Sequence, residues 1–313
     1  MSRSVARLPG GNSGLDSATG FPLPRIPDRA RLTLYAQLAR LDRPIGALLL
    51  LWPTLWALWL AANGTPSLHL LVVFVLGVFL TRSGGCVLND YADRDLDGSV
   101  ARTRDRPLAT GRVAPGEALV LAALLFGLAF LLVLTTNRLT VLLSFAGAVL
   151  AGIYPFMKRI TWVPQFFLGL AFSWGIPMAF AAQTGGVPPV AWMLYMANIL
   201  WAMVYDTIYA MVDRNDDLRL GVRSTAILFD DADTTIIGIM QIMMLVLLTL
   251  AGYKLQLGFY YYLGITLAGA QFLAHQIVIR DRSREACFRA FMLNNWVGLT
   301  IFAGIVLDMG TVA

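Results

Sequence analysis

Residues 67–97 read SLHLLVVFVLGVFLTRSGGCVLNDYADRDLD. From Ser67 to Asn89 the run is long and apolar enough to cross a hydrocarbon core, which takes about 20 residues as a helix. It lacks the period-2 alternation of a strand, and barrel strands carry far weaker hydropathy per segment. Four aspartates then follow between positions 90 and 97. The stretch therefore reads as a membrane helix that ends in acid.

The rest of the chain repeats the first half of that pattern. Of 313 residues, 58% are hydrophobic and 14% charged, with a mean hydropathy of +0.67. Soluble proteins carry about 25% charged residues. A disordered chain is excluded and a soluble globular domain nearly so, because a core of this size cannot hide so many apolar side chains unless the outside is apolar too. Nine stretches are candidate spans: 45–62, 67–89, 116–136, 138–156, 162–183, 189–212, 233–253, 256–279 and 288–309. The fold class predicted is an all-α polytopic bundle of nine transmembrane helices, with neighbours joined by short links into antiparallel hairpins. Cys86 and Cys287 make no disulfide framework. His69 and His275 stand alone in apolar surroundings, so no zinc site is indicated.

Charge sets the orientation. The tail to Arg43 and the links near 90–115, 157–161, 213–232 and 280–289 hold 21 of the 24 Lys and Arg, whereas the opposite side holds only Arg138 and Lys254. Arg82 lies inside a span. The positive-inside rule then places the N-terminus and large loops in the cytoplasm. The net charge of +5 reads as topology, not as a nucleic-acid surface. Residues 1–27 are rich in Gly, Pro, Ser and Arg and are expected to be disordered, with no secretory signal. The domain reading is a cytoplasmic tail over 1–31 and a membrane domain over 32–313. Residues 28–42 alternate basic and apolar positions at helical spacing, either as an interfacial helix or as an extension of the first span. A bacterial inner membrane is expected. Arg3 and Arg7, with no early acid, keep a mitochondrial inner membrane as the alternative.

The acids are lopsided, with 17 Asp against 2 Glu, and eight of the Asp lie in two clusters. Asn89, Asp93 and Asp97 share one helix face at i, i+4, i+8. Near the end of the sixth span, DTIYAMVDRNDD (206–217) puts Asp206, Asp213 and Asp217 on one stripe with Tyr209. Like charges repel, the C-terminal end of a helix disfavours anions, and an uncompensated Asp in a bilayer costs about 2.5–3.5 kcal/mol. Solvated acids pairing with Arg94, Arg102, Arg104 and Arg214 account for one such cluster, but poorly for two at matched helix ends. Oxygen ligands without Cys or His favour Mg²⁺, Ca²⁺ or Mn²⁺. Mg²⁺ usually takes one or two carboxylates, waters and phosphate oxygens, so the two faces suit Mg²⁺ ions holding a diphosphate. Cations for that anion are available on the same side: Lys158 and Arg159 in YPFMKR (154–159) with Tyr154, then Arg102, Arg106 and Arg112, then Arg223. No phosphate-binding GxxxxGK[ST] loop is present.

With these motifs in view, the sequence resembles the UbiA superfamily of intramembrane prenyltransferases. The resemblance rests on GCVLNDYADRDLD (85–97), YPFMKR (154–159), FSWGIPMAF (172–180), YDTIYAMVDRNDD (205–217) and RSTAIL (223–228), and covers about residues 32–310. RLDRPIG (40–46) and YDTIYAMVD are similar to the 4-hydroxybenzoate polyprenyltransferases of ubiquinone synthesis. The resemblance implies a central cavity open to lipid and transfer of a polyprenyl group from its diphosphate to the ring carbon ortho to the phenol. It implies Mg²⁺ held by Asn89, Asp93, Asp97, Asp213 and Asp217. Catalytic roles then fall to Lys158 and Arg159 on the leaving group, Asp206 as base and Tyr209 beside it. Substrate binding falls to Arg43 for the acceptor carboxylate, with Tyr154 and Arg106. Expected partners are polyprenyl diphosphate, 4-hydroxybenzoate and lipid, with no nucleic acid and no obligatory protein. The alternatives are a UbiA-type enzyme with another acceptor and, from a different class, a cation transporter. Transporters more often place ion sites near the midplane, whereas these acids lie at one edge.

Overall fold

A computed structural model of the chain describes residues 28–98 and 103–310. Residues 1–27, most of the expected tail, and Arg102 lie outside that range. Among the described residues the secondary structure is helical throughout. A short α1 (Arg29–Leu38) leads to α2 (Ile45–Ala62), α3 (Leu68–Asp97), α4 (Pro115–Val133) and α5 (Arg138–Ile153). A tight turn at Tyr154–Phe156 passes into α6 (Met157–Ile160), followed by α7 (Pro164–Ser173) and α8 (Gly175–Thr184). Then come the 32-residue α9 (Pro189–Leu220), α10 (Thr225–Phe229), α11 (Asp233–Lys254), α12 (Phe259–Ile279) and α13 (Arg284–Gly310).

Among the described residues, eight rods are long and apolar enough to cross a membrane. The ninth expected span, 189–212, is α9. It is long enough but less apolar, because Trp192, Tyr195, Asn198, Trp201, Tyr205 and Asp206 interrupt its aliphatic residues. The reason is its position. α9 packs against α7, α11 and α13 and is buried along most of its length, so it needs little lipid-facing surface.

Prolines explain the breaks. The span expected at 162–183 is two helices, α7 and α8. Pro177 has no N–H to offer the carbonyl of Ser173, and α7 stops at that residue. Pro155 likewise sits in the turn that ends α5 and leaves Lys158 and Arg159 on the short α6.

The core joins α2, α9 and α13. Trp56 and Trp201 stack with centroids 5.4 Å apart. Three indole N–H groups donate to α13: Trp52 to Asn295 Oδ1 (2.8 Å), Trp56 to the Gly298 carbonyl (3.0 Å) and Trp201 to Asn294 Oδ1 (3.0 Å). A side chain at Gly298 would collide with Trp52 and Trp201, so the close approach depends on glycine.

α1 begins at Arg29, inside the range first given to the tail. Its Asp28 side chain caps the Arg31 N–H at 2.8 Å. Arg31 and Tyr35 both bond Glu117 at the start of α4, which ties α1 across the basic edge of the bundle. The hydrogen bond to that carboxylate pushes the Tyr35 hydroxyl above its ordinary range.

Candidate active site

The first acid cluster is a web, not a bare carboxylate face. Asp90, Asp93 and Asp97 are 1%, 3% and 6% exposed, so each must find a partner. Asp93 pairs with Lys158 and accepts from Asn89 Nδ2 at 3.2 Å. Tyr154 donates to Asn89 Oδ1 at 3.3 Å, which brings the α5–α6 turn against α3. Arg106 Nη1 lies 2.8 Å from Asp97 Oδ2 and 3.0 Å from Asp90 Oδ1. Arg40 Nη2 takes both oxygens of Asp90, at 2.8 and 2.9 Å. Asn89, Asp93, Asp97, Tyr154, Lys158 and Arg106, all singled out from the sequence, are therefore brought together.

Arg159 faces another way. Its guanidinium donates to the Ala92 carbonyl and fastens α6 to α3. Arg223 donates to the Ile160 carbonyl at 2.6 Å and covers the Trp162 ring, closing the same turn from the far side. Arg112 is spent on its own loop, on the Asp105 carbonyl and Thr110.

The second cluster is more open. Asp206, Asp213 and Asp217 are partly exposed on α9, and each interacts with its surroundings. Tyr209 is partly exposed as well, its ring 4.6 Å from that of Phe291. From there an aromatic path descends through Tyr205 to Trp201, whose rings meet edge to face at 5.5 Å. Asp216, beside the same stripe, pairs with Arg284 at 3.0 Å.

Arg82 links the two halves, and sequence reasoning gave it no role. It lies on α3 within electrostatic range of Asp206, Tyr205 and Tyr154. Its Nη1 is 2.6 Å from Cys86 Sγ, it covers the Phe172 ring, and its Nε is buried without a hydrogen-bond partner among the described residues. A Cβ at Gly46 would meet that guanidinium at 2.5 Å, so the glycine of RLDRPIG makes room for it. The available signal was its place: an arginine inside a span is a functional candidate by default. Asp90 was also missed, although Asp90, Asp93 and Asp97 at i, i+3, i+7 share a face.

A cleft of about 40 Å³ opens beside Arg82, lined also by Arg40, Arg43, Ser83 and Phe79. Arg43, expected at the acceptor carboxylate, stands at its rim. It is largely exposed, with a loose contact of 3.6 Å to Asp42.

Among the described residues, no three His, Cys, Asp or Glu side chains gather as a ready metal cage. In the web Lys158, Arg106 and Arg40 pair with the α3 carboxylates. Asp93 Oδ1 is buried without a hydrogen-bond partner among the described residues. An all-oxygen set with one open carboxylate oxygen fits Mg²⁺, which draws its other ligands from water and phosphate.

The family model for UbiA prenyltransferases matches residues 50–298. The chain belongs to the UbiA prenyltransferase family. This UbiA-family chain is 57% identical over 281 residues to the 4-hydroxybenzoate octaprenyltransferase of Marinobacter nauticus, covering 90% of this chain and 96% of that protein. It is 58% identical over 281 residues to the protein of the same name from Alkalilimnicola ehrlichii, with the same coverage. Its fold is similar to that of a UbiA homologue from Aeropyrum pernix, with a TM-score of 0.75 at 24% identity over 86% of this chain and 98% of that one. A UbiA homologue from Archaeoglobus fulgidus, solved with GPP and Mg²⁺, aligns with a TM-score of 0.67 at 17% identity over 87% of this chain and 99% of that one.

Proposed function

We propose that this chain transfers a polyprenyl group, eight isoprene units long as in its named relatives, from its diphosphate to the carbon ortho to the hydroxyl of 4-hydroxybenzoate, in ubiquinone biosynthesis. The observation that carries the reading is Lys158 on buried Asp93, with a carboxylate oxygen left open beside Asn89. An amine and an oxygen ligand side by side suit a diphosphate and its counter-ion.

Asn89, Asp93 and Asp97 on α3, with Asp213 and Asp217 on α9, would hold Mg²⁺. When bound, the ion neutralises the diphosphate and eases C–O cleavage. Lys158 and Arg106 stabilise the charge that grows on the departing group. Arg159 and Tyr154 hold the Lys158 turn against α3. Tyr209, Phe291 and Tyr205 offer aromatic faces to the allylic cation, and the dry wall behind them keeps water from capturing it. Arg82 and Arg43, across the cleft, take the acceptor carboxylate as fork donors. Asp206, near Arg82, accepts the proton that the ring loses. The cleft holds only a few waters as it stands, so the acceptor must widen it, and the exposed Arg43 rim is the side free to move.

The basic edge carrying α1 and the acid clusters faces the cytoplasm of a bacterial inner membrane, as the positive-inside asymmetry indicates. The test is direct. Membranes holding the protein are incubated with 4-hydroxybenzoate, octaprenyl diphosphate and Mg²⁺. The prenylated acid is expected, and its absence would overturn the reading.

A further inference from the structure

The acceptor cleft and the diphosphate-side acids are joined by a chain of charges. Arg40 lines the cleft, and its Nη2 holds both oxygens of Asp90. Asp90 also takes Arg106, whose Nη1 is shared with Asp97. Asp90 is among the least exposed polar residues of the molecule and lies one position away from the Asn89–Asp93–Asp97 stripe. Arg40 has φ 55°, a conformation that a non-glycine residue keeps only where its surroundings hold it. Arg40 closes the C-terminus of α1, where its N–H donates to the Gln37 carbonyl at 3.2 Å and the Leu41 N–H to the Ala36 carbonyl at 3.0 Å, and the pair with Asp90 then fixes where its guanidinium lies.

We propose that Asp90 is a positioning residue that fixes two cations serving two different substrates: Arg40 on the wall of the acceptor cleft, and Arg106 beside Asp97. The inference rests on the function proposed above and extends it. A carboxylate buried between two guanidiniums anchors both of them, and removing its charge takes a buried counter-ion from each. It also divides Arg106 between two acids, so that Asp97 is only half claimed. Without the Asp90 charge, Arg106 has Asp97 as its whole counter-ion and competes with any cation for it.

Asp233 provides an internal control. It too is buried between two arginines, bonded by Arg282 Nε at 3.0 and 3.1 Å and approached by Arg214 at 3.5 Å. It sits at the start of α11, and no role in binding or chemistry has been assigned to it.

Mn²⁺ alone is the metal probe, titrated into purified protein and followed by electron paramagnetic resonance. KM is measured separately for 4-hydroxybenzoate and for the prenyl diphosphate. Asp90→Asn is expected to weaken Mn²⁺ binding and raise both KM values, each about tenfold, the scale of one charged hydrogen bond. Arg40→Gln leaves Arg106 on Asp90. It is expected to raise only the KM for 4-hydroxybenzoate, with Arg40→Lys recovering part of the loss. Asp233→Asn is expected to lower thermal stability without moving Mn²⁺ binding or either KM. If Asp90→Asn behaves as Asp233→Asn is expected to, or if Arg40→Gln shifts all three quantities alike or none, the proposal is overturned. Should Asp90→Asn fail to fold, the Arg40→Gln profile decides alone. A wild-type protein that makes no prenylated acid would overturn the proposed function. A working wild type with a kinetically silent Asp90→Asn would overturn only the positioning role.

Discussion

The two acidic helix ends share a composition and differ in what surrounds them. On α3, Asp90, Asp93 and Asp97 are buried, and their cations arrive from separate segments: Arg40 before α2, Arg106 after α3 and Lys158 on α6. On α9, Asp206, Asp213 and Asp217 stay partly exposed and keep interactions of their own, while arginines 214 and 284 pair with Asp230, Asp233 and Asp216. Equal formal charge therefore does not mean equal cost. The α3 acids are fixed parts of the fold, so altering them disturbs folding and chemistry together. The α9 acids are more exposed than those on α3, so altering them should disturb the fold less.

The strongest test of that contrast replaces one acid on each side. Asp93→Asn and Asp213→Asn are both expected to cut turnover about 100- to 1,000-fold, as when one group that stabilises transition-state charge is removed. Asp93→Asn should lower the melting temperature in detergent more than Asp213→Asn does, because Lys158 loses its buried counter-ion. Equal melting temperatures would break the contrast. EDTA should abolish turnover of the wild type, and near-normal rates in its presence would remove the metal from the account.

Next in size is Lys158→Ala, with an expected fall in kcat of about 30- to 1,000-fold, or about 2–4 kcal/mol. That fall should exceed any rise in the KM for 4-hydroxybenzoate. Unchanged kcat with low expression would reduce Lys158 to a topology anchor. Arg82→Ala and Arg43→Ala should raise the KM for 4-hydroxybenzoate about 10- to 100-fold and that for the prenyl diphosphate much less. The larger effect belongs to Arg82, the less hydrated of the two. Smallest is Asp216→Asn. Its partner Arg284 is about half exposed, at 45%, and a pair open to solvent on one side is worth about 1 kcal/mol or less, so stability and turnover should stay close to wild type by thermal melt and by assay.

Much of this was legible in the sequence, for physical reasons. Helices in lipid announce themselves by length and apolarity, so the spans could be read directly. Acids at helix ends violate insertion energetics, so Asn89, Asp93, Asp97 and the α9 stripe stood out. Lys158 was legible because its link is too short to swing away. Arg40 and Asp90 were not, since they meet across 50 positions and nothing local marks the pairing. Arg82 was passed over because one arginine in an apolar run looks like topology noise until Gly46 is seen making room for it. The break at Ser173 needed the step from Pro177 back to the carbonyl it leaves unpaired, which a hydropathy count does not make.

The modest apolarity of α9 has a consequence for biogenesis. A segment bearing Asn198, Asp206 and several Trp and Tyr partitions into lipid less readily than its neighbours do. Its polar groups find partners only inside the bundle: Asn198 Nδ2 donates to Ser173 Oγ at 2.8 Å, and Trp201 to Asn294 on the last helix. During synthesis α9 leaves the ribosome before α13 exists. It must therefore be held at the insertion machinery or sheltered by α7 until the C-terminal hairpin arrives. A chain truncated before Asn294 should retain its earlier spans in the membrane while α9 becomes a target for quality-control proteolysis.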